Sequence, residues 1–480
     1  MDFSIISQDP TIRAMVQDQA LQRAFHDALF PAMLFRAEAS PIFWPANVGD
    51  TQVFTGRGLL SPDMAPLKPG TDPEPDSWTA EQWTAVAQEW AKAVDTFMPN
   101  SIVAIANLFY ANAQQLGLAG AMTLNRLVRN KLFNAALSGN TVSDTGCSGA
   151  NTLHVKSCSG LTTARRPDVS TGSAVQFSAV SATNPLPVRI MQSNGTEVTR
   201  NITACALDAI ADTVNGGTRY DERGGGTITF DGSPITVSAR GYVVASDASY
   251  VVRVGGGNQV DVIGPNDTLK LADIRAAVAR LRLMNIPTHA DGRYHCHLDP
   301  ISESEIFGDA EFQRLSTATL GENYMYRDFA IGDKLGCIFF RNNECPLPTS
   351  VLGGTITTPI FNLHDPFGGE LYSSGTNTGT PVHRAIFTGG DACKEYYLDT
   401  SGLITEAGLN GKIGEFSGRL HNNGIEIMAD RIELILRAPL DRLQQKVSAA
   451  YRFAGDFVIR TDSATGDAAR IKRMVCIEHA

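Results

Sequence analysis

SIVAIANLFYANAQQLGLAGAMTLNRLVRNKLFNAAL, residues 101–137, is the stretch that decides the fold. Its apolar residues recur every three or four positions, which places them on one face of an α-helix. They are Ile102, Ile105, Leu108, Phe109, Ala113, Leu116, Ala119, Met122, Leu124, Leu127, Leu132 and Phe133. Ser138-Gly139-Asn140 follows, and such residues are typical of a helix C-terminus. At about 1.5 Å per residue, the predicted helix is long enough to span a domain.

The residues before this helix predict an arm and one side of a ribbon. Pro10 to Arg36 has loosely helical apolar spacing, which we interpret as an N-terminal helical arm. Thr51–Thr55 is a short β-like run among Pro and Gly residues. Ser61–Ser77 holds five prolines and neither a helical nor a strand period. This segment therefore predicts an exposed loop tip.

The segment from Glu81 to Phe97 fits two periodicities. Trp83 and Trp90 stand seven residues apart, as on a helix, whereas Trp83, Ala85 and Ala87 fit a period of two. We prefer a long strand that returns from the loop.

The residues after the long helix predict a β-rich module. From Thr141 to about Asp267 the chain is rich in Gly, Ser, Thr and Val and contains strand-like runs, so we interpret it as an insertion. Asp231-Gly232, between Ile228 and Ile235, is a hairpin signal.

An α/β unit is predicted beyond the β-rich module. Leu269–Asn285 has an amphipathic stripe that Pro287 ends. Residues 292–300 are typical of a core strand, 301–315 of a helix and 331–346 of a strand with a turn. The last segments predict two strands around a polar turn at Thr461–Asp467, preceded by His421–Gly455, which fits either strand or helix.

Composition excludes several classes of protein. The chain has 480 residues, 43% of them hydrophobic and 19% charged, which is enough apolar material for two or three folded units and excludes a disordered chain. The net charge of −10 argues against a basic surface that gathers nucleic acid, so sequence-specific DNA binding is disfavoured.

The cysteines and the N-terminus predict synthesis in a reducing cytoplasm. The eight cysteines lack CxxC spacing and are expected as reduced thiols: Cys147, Cys158, Cys205, Cys296, Cys337, Cys345, Cys393 and Cys476. Met1 to Ile12 is polar and mixed, which does not support a cleaved secretion signal. No run approaches the roughly 18 apolar residues of a spanning helix, so we expect no membrane segment.

Few residue patterns point to chemistry. His295 and His297 flank Cys296 and would share a face of a strand, as two metal ligands need, but no third ligand is near in sequence and an ordinary core strand is favoured. Glu303 and Glu305 lie near a predicted helix start, where carboxylates favour the helix dipole.

The glycine triplets at 224–226 and 255–257 lack phosphate-loop spacing and are interpreted as turns. No hydrolase or metalloprotease motif is present, and we expect neither catalytic activity nor a cofactor.

Aromatic residues near the ribbon are candidates for a subunit interface. All four tryptophans, Trp44, Trp78, Trp83 and Trp90, lie in the first hundred residues. They predict interface anchors or, equally well, core packing. The full candidate set is Trp44, Phe54, Leu67, Lys68, Trp78, Trp83 and Trp90.

The order of these segments resembles the major capsid proteins of tailed bacteriophages with the Hong Kong 97-type fold, in the podovirus-like branch with an inserted β domain. The resemblance is carried by VGDTQVFTGRG (48–58), LFYANAQQLGLAGAMTLNRLVRNKLFNAAL (108–137), LKLADIRAAVARLRLMNIP (269–287) and GRYHCHLDPISESEIFGDAEFQRL (292–315). It implies an α+β fold with an N-terminal arm (1–45), an extended β-ribbon loop (46–97), a peripheral-domain spine helix (98–140), a β-rich insertion with peripheral-domain strands (141–267), an axial domain (268–425) and a return to the peripheral domain with terminal strands (426–480).

The resemblance also implies a function and partners. The chain is expected to self-assemble through pentamers and hexamers into an icosahedral head that encloses double-stranded DNA, within the virion and, during assembly, in the host cytoplasm. A separate scaffolding protein, a portal and a decoration protein are the implied partners. In some relatives a loop lysine forms an isopeptide cross-link, for which Lys68 is the candidate, although a solvated lysine is the simpler reading.

Three alternatives remain open from the sequence. The first is a non-viral shell of the same fold that encloses an enzyme cargo. The second is a β-rich adhesin, against which the two strong helices weigh. The third is a hydrolase with an unrecognised site, which no sequence motif supports.

Overall fold

The computed structural model of the chain describes a set of separate ranges. These are residues 34–44, 49–57, 64, 66–68, 70, 72–73, 80–97, 108–165, 174–175, 177–211, 218–220, 224–238, 241–254, 266–319, 333–342, 344–345, 350–351, 354–355, 382–398, 419–421, 424–429, 431–437, 445–459, 461–463 and 470–480. The architecture is α+β, as predicted.

Most described residues before the long helix lie in strands. They are β1 (Ala39–Trp44), β2 (Thr51–Arg57), β3 (Ala80–Val86) and β4 (Gln88–Phe97), after a 3-10 helix at Arg36–Glu38. The prediction of a strand rather than a helix over Glu81–Phe97 is confirmed. Most of the predicted helical arm, up to residue 33, lies outside the described residues.

The predicted long helix is present as α1 (Leu108–Ala136). Residues 101–107 of the prediction lie outside the described residues. Leu116, Leu124 and Leu132 of its apolar face are buried. The helix ends where the sequence predicts, because Gly139 takes a φ of +78°, a left-handed conformation that glycine adopts without a Cβ penalty.

A barrel follows the long helix. The strands of this region are β5 (Asn140–Val142), β6 (Cys147–Ala150), β7 (Thr152–Val155), β8 (Thr163–Arg165), β9 (Ala174–Val175), β10 (Phe177–Ala179), β11 (Leu186–Met191), β12 (Glu197–Leu207), β13 (Ala209–Ala211), β14 (Thr218–Tyr220), β15 (Gly226–Phe230), β16 (Ile235–Val237), β17 (Tyr242–Ala245) and β18 (Val251–Arg253). Six of them pair in the order β5-β17-β11-β12-β15-β7. A bridge between Ser143 and Val155 joins the two end strands, which closes the sheet around an apolar interior.

The sequence predicts a hairpin at Asp231-Gly232, and its predicted strand pairing is wrong. Gly232 forms a turn with a φ of +82°. The strands on either side, however, belong to different sheets, since β15 pairs with β7 and β12 while β16 pairs with β6. The local turn is therefore present, but the strands on either side of it pair with other strands and not with each other.

The C-terminal half supplies three helices and the remaining strands. They are α2 (Leu271–Leu283), β19 (Tyr294–Leu298), α3 (Pro300–Gly308), α4 (Ala310–Thr319), β20 (Asp333–Lys334), β21 (Cys337–Arg341), β22 (Ser350–Val351), β23 (Gly354–Thr355), β24 (His383–Thr388), β25 (Cys393–Leu398), β26 (Arg419–His421), β27 (Gly424–Ala429), β28 (Ile432–Arg437), β29 (Lys446–Ile459), β30 (Thr461–Ser463), β31 (Arg470–Lys472) and β32 (Met474–His479). The strand and helix predictions over 269–315 are confirmed, and the strand predicted within 331–346 is present as β21, paired with β20. The described residues of His421–Gly455 take the strand alternative. The turn predicted at Thr461–Asp467 is wrong for Thr461–Ser463, which form β30 and pair with β31, and the rest of it lies outside the described residues.

The chain forms two compact units. The first comprises Met1–Val53, Thr84–Arg129 and Cys393–Val458, and the second comprises Phe54–Trp83, Asn130–Ala392 and Ile459–Ala480. Among the described helices, none combines the length and apolar content that a membrane span needs.

A sheet organises the first unit. Its strands follow the order β1-β25-β29-β28-β27-β26, and β4 pairs with β29. Helix α1 lies against β29 at Gly120, where an added Cβ would meet the Tyr451 ring at 3.4 Å. The Tyr451 hydroxyl donates to Thr123 Oγ1 at 3.0 Å. A small residue at position 120 thus lets helix and strand approach closely.

The second unit contains a further six-stranded sheet in addition to the barrel. Its order is β18-β32-β24-β19-β21-β20, with α2 and α3 contributing to its apolar core. All six residues of β32 are buried. Helix α2 ends in a Schellman motif, in which Asn285 has a φ of +54° and Ile286 N donates to Leu281 O.

Replacement of Gly139 by alanine tests the end of α1. The new Cβ would lie 2.8 Å from the Ala248 Cα in a positive-φ conformation, so we expect a loss of more than about 2 kcal/mol and a melting temperature several degrees lower. Gly120→Ala is the matched control, because its Cβ makes an ordinary 3.4 Å contact and gains helix propensity. Equal melting temperatures for both variants, by differential scanning fluorimetry, would contradict this account.

Candidate subunit interface and buried polar centres

The ribbon formed by β2 and β3 presents apolar residues at its tip. The two strands pair with each other. The rings of Phe54 and Trp83 stack with centroids 6.2 Å apart. In the chain between the strands, Met64 is 90% exposed and Leu67 is 59% exposed, and Lys68 is also exposed. The ribbon therefore holds its own aromatic pair while its tip leaves large apolar groups in solvent.

The tryptophans divide between ribbon and core. Trp44 is fully buried and lies edge-on to Tyr396, so the core-packing alternative describes it. Trp90 is half-buried against Phe453, with centroids 5.8 Å apart. Trp78 lies outside the described residues. Of the predicted set, Phe54 and Trp83 lie on the paired strands of the ribbon, and Leu67 and Lys68 lie in the chain between those strands.

A buried carboxylate anchors the first unit. Arg36 contacts Glu395 twice, with Nε 3.0 Å from Oε2 and Nη2 2.5 Å from Oε1. Arg431 Nε lies 3.2 Å from the same carboxylate. Because the Arg36 and Glu395 side chains are almost fully buried, the pair fixes the chain immediately before β1 against β25.

A second buried carboxylate lies in the sheet of the second unit. Arg253, Glu478 and Arg384 stand directly opposite one another on β18, β32 and β24. Their Nε atoms lie 3.0 and 3.1 Å from the Glu478 carboxylate oxygens. Burial raises the pKa of Glu478, but the two guanidinium groups outweigh it and hold that pKa below its ordinary value of 4.5.

Two histidines continue this row of buried polar residues. His383 and His479 are cross-strand partners on β24 and β32, with ring centroids 5.6 Å apart. His383 Nδ1 lies 2.5 Å from Asp299 Oδ2, and Asp299 Oδ1 also accepts the N-cap hydrogen bond from Ser302 N. Burial raises the pKa of Asp299, but the hydrogen bonds with His383 and Ser302 outweigh it and lower that pKa.

His479 lies in a serine–histidine–carboxylate arrangement. Ser302 Oγ lies 2.8 Å from His479 Nε2, and His479 Nδ1 lies 2.8 Å from Glu305 Oε2. Nucleophilic enzymes use this order of groups. Ser302 and His479 are each 0% exposed, however, so no substrate reaches the hydroxyl in this structure. Glu305 also accepts from Leu269 N at 2.7 Å, which ties the start of α2 to α3.

Sequence reasoning missed this centre for a physical reason. Ser302 on α3 and His479 on β32 are 177 positions apart in the chain, and they meet only because α3 packs against β24 and β24 pairs with β32. Glu303 and Glu305 do lie near a helix start, as predicted. Glu303 additionally binds Arg341 through both of its carboxylate oxygens, at 2.6 and 2.9 Å.

The two imidazoles proposed as metal ligands occupy a core strand. His295 and His297 lie on the same side of β19, as the sequence predicts. The Phe340 ring contacts both, at centroid distances of 5.0 and 5.3 Å. His295 Nε2 is 2.8 Å from Asp291 Oδ2, and His297 Nδ1 is 3.4 Å from Asn342 Nδ2. Each imidazole therefore has its own partner, and the core-strand alternative describes the pair.

The glycine triplet at 224–226 is more than a turn. Gly226 is the first residue of β15, where an added Cβ would lie 2.4 Å from Ala206 O and 2.6 Å from Cys158 Sγ. The turn interpretation is wrong for this residue, because its role is to let barrel strands approach closely. The triplet at 255–257 lies outside the described residues.

Comparisons with known proteins give structural likenesses at low identity. The chain is similar to a chain of the capsid of Ralstonia phage GP4, with 13% identity, a TM-score of 0.46 and coverage of 94% of this chain and 92% of that chain. It is also similar to the capsid of cyanophage P-SCSP1u, with 9% identity, a TM-score of 0.45 and coverage of 94% and 88%. A third likeness is to the capsid asymmetric unit of cyanophage Pam1, with 10% identity, a TM-score of 0.46 and coverage of 91% and 86%. No family model and no curated protein matches the chain.

Replacement of Glu478 by glutamine tests the buried row. The change leaves two buried guanidinium groups without their shared carboxylate, so we expect a loss of about 3–5 kcal/mol at pH 7. Glu311→Gln is the control, because the Arg275–Glu311 pair is exposed and contributes less than about 1 kcal/mol.

The stability lost in Glu478→Gln should depend on pH. Because the folded pKa of Glu478 lies below the ordinary 4.5, its contribution is complete above that value and is lost as the pH falls toward the folded pKa. The melting-temperature deficit of Glu478→Gln should therefore shrink below pH 4.5. A deficit that stays constant down to acid unfolding would contradict the assignment.

Proposed function

We propose that this chain is the major capsid subunit of a tailed bacteriophage and that its role is structural. The observation that carries the proposal is the ribbon tip, where Met64 and Leu67 are 90% and 59% exposed. Exposed apolar groups on an extended element mark a surface that another molecule covers. In a shell built from one kind of subunit, that molecule is the neighbouring copy.

The geometry of the ribbon suits a closed shell. A ribbon that lies over a different surface of the next copy makes a heterologous contact, and such contacts close into rings when the rotation between copies allows it. Rings of five and six copies then tile a finite icosahedral shell. We assign Phe54, Leu67, Lys68 and Trp83 to this contact, together with Trp78 and Trp90.

The domain assignment extends the proposal along the chain. The arm comprises residues 1–45, the ribbon 46–97, the spine helix 98–140, the β-rich insertion 141–267, the axial domain 268–425 and the return to the peripheral domain 426–480. Long α1, the barrel that follows it and the sheet centred on β32 support this order of parts.

The charge of the chain supports a container rather than a binder of nucleic acid. A net charge of −10 disfavours tight phosphate contacts, which would otherwise hinder packaging and release of DNA. The proposed shell encloses double-stranded DNA without reading its sequence. Its proposed partners are a separate scaffolding protein, a portal and a decoration protein, and it assembles in the host cytoplasm before residing in the virion.

Deletion of residues 62–76 tests the ribbon. The deletion leaves residues on both sides to connect β2 with β3, so we expect a folded subunit with wild-type circular dichroism. Without the tip, the contact between copies is lost, and we expect capsomers and shells to disappear in negative-stain electron microscopy and size-exclusion chromatography. The chain is expressed alone and with its neighbouring reading frames.

A length-preserving variant controls for the deletion. Met64→Ser with Leu67→Ser removes only the exposed apolar groups and should reduce assembly in the same direction. Normal particles from both variants would contradict the ribbon assignment. Closed particles that carry a protein cargo and no DNA would instead identify a non-viral shell.

A further inference from the structure

A leucine occupies a turn position that favours asparagine or glycine. β20 and β21 form a hairpin in which Lys334 pairs with Cys337, and the two turn residues are Leu335 and Gly336. Their φ angles are +56° and +80°. Two positive φ values define a type I′ turn, for which Asn-Gly is the preferred pair. Leucine is strained in this conformation because its Cβ approaches the following carbonyl oxygen.

The strained leucine is also exposed, at 37%. Packing inside the unit therefore covers this large apolar side chain only in part. An observed backbone outlier of this kind points to a function outside the stability of the turn itself.

A second exposed leucine is the chain neighbour of an arginine that reaches this turn. Leu283, the last residue of α2, is 71% exposed. Arg282 next to it reaches the turn, since its Nη2 lies 2.8 Å from the position that a Cβ on Gly336 would occupy. We call Leu283, Leu335 and Arg282 the leucine edge.

The charged residue of the leucine edge is Arg282. The other arginines of α2 have partners inside the unit, since Arg275 pairs with Glu311 at 3.2 Å and the Arg280 guanidinium lies over the Tyr250 ring. The chain as a whole has a net charge of −10, so the average surface of another copy is acidic. Exposed apolar groups beside arginine are typical of protein interfaces, in which arginine is enriched and lysine is depleted.

We propose that the leucine edge docks against a different, acidic surface of a second copy of this chain. A two-fold contact of the edge with itself would bring Arg282 against Arg282, which like-charge repulsion disfavours. The contact is therefore head-to-tail, the type that closes into rings. This inference rests on the proposed shell function and adds a second contact, separate from the ribbon.

Leu335→Asn is the sharpest test, because it separates folding from assembly. Asparagine suits the positive φ, so the melting temperature of the full-length subunit should stay equal or rise. The apolar contact is lost, so the concentration required for assembly should rise about tenfold, as for loss of one good interface contact. Both quantities are measured on the same preparation, by scanning fluorimetry and by sedimentation velocity with electron microscopy.

Three further variants sharpen the comparison. Leu283→Ser should weaken assembly in the same way, and Arg282→Glu should weaken it in a salt-dependent manner. Leu118→Ser is the control, since Leu118 is 36% exposed on α1, close to the value for Leu335. Its assembly should match the wild type.

The outcomes separate this inference from the proposed function. Wild-type shells together with unchanged assembly of Leu335→Asn and Leu283→Ser would overturn the leucine edge and leave the shell function standing. Normal shells that hold less nucleic acid in Arg282→Glu would also overturn it, because the edge would then contact nucleic acid. A wild-type chain that stays monomeric in every condition would overturn both proposals.

Discussion

Glu478 holds three strands of the second unit together, and much of that unit depends on it. The carboxylate accepts from Arg253 on β18 and Arg384 on β24, which lie 225 and 94 positions away in the chain. A buried carboxylate between two guanidinium groups is costly to break, since each remaining charge would be left in a low-dielectric interior. The Arg253–Glu478–Arg384 contacts therefore determine which strands lie beside β32. Apolar contacts determine this less strongly, because apolar side chains pack against many partners.

A buried carboxylate between two arginines also occurs in the first unit. Glu395 on β25 binds Arg36 and Arg431, and the Arg36 contact uses both carboxylate oxygens. Charged pairs at these depths define positions rather than add net stability. In each unit, a buried acid thus locates segments from distant parts of the chain. The serine–histidine–glutamate arrangement around His479 is also mostly buried, since Ser302 and His479 are each 0% exposed while Glu305 is partly exposed.

Some exposed side chains, in contrast to this buried polar interior, are apolar. Met64 and Leu67 at the ribbon tip, and Leu283 and Leu335 at the leucine edge, leave apolar groups exposed. Leu335 does so in a strained conformation. A subunit that pairs buried carboxylates with arginines, and that leaves apolar residues exposed at the ribbon tip and the leucine edge, is suited to association with further copies of itself. The proposed shell function explains both features with one physical requirement.

The sequence by itself determined the local elements. Periodicity located α1 and α2, the strand preference over Glu81–Phe97 and the core strand at Tyr294–Leu298, because these depend on neighbours a few residues apart. Only the tertiary structure decided what depends on distant partners. Those features are the pairing of β15 and β16 with different sheets, the closure of the barrel, the burial of Trp44 and the contacts of Glu478 and His479. No local pattern encodes them, since strand pairing between segments that are distant in the chain is set by the global burial of apolar surface.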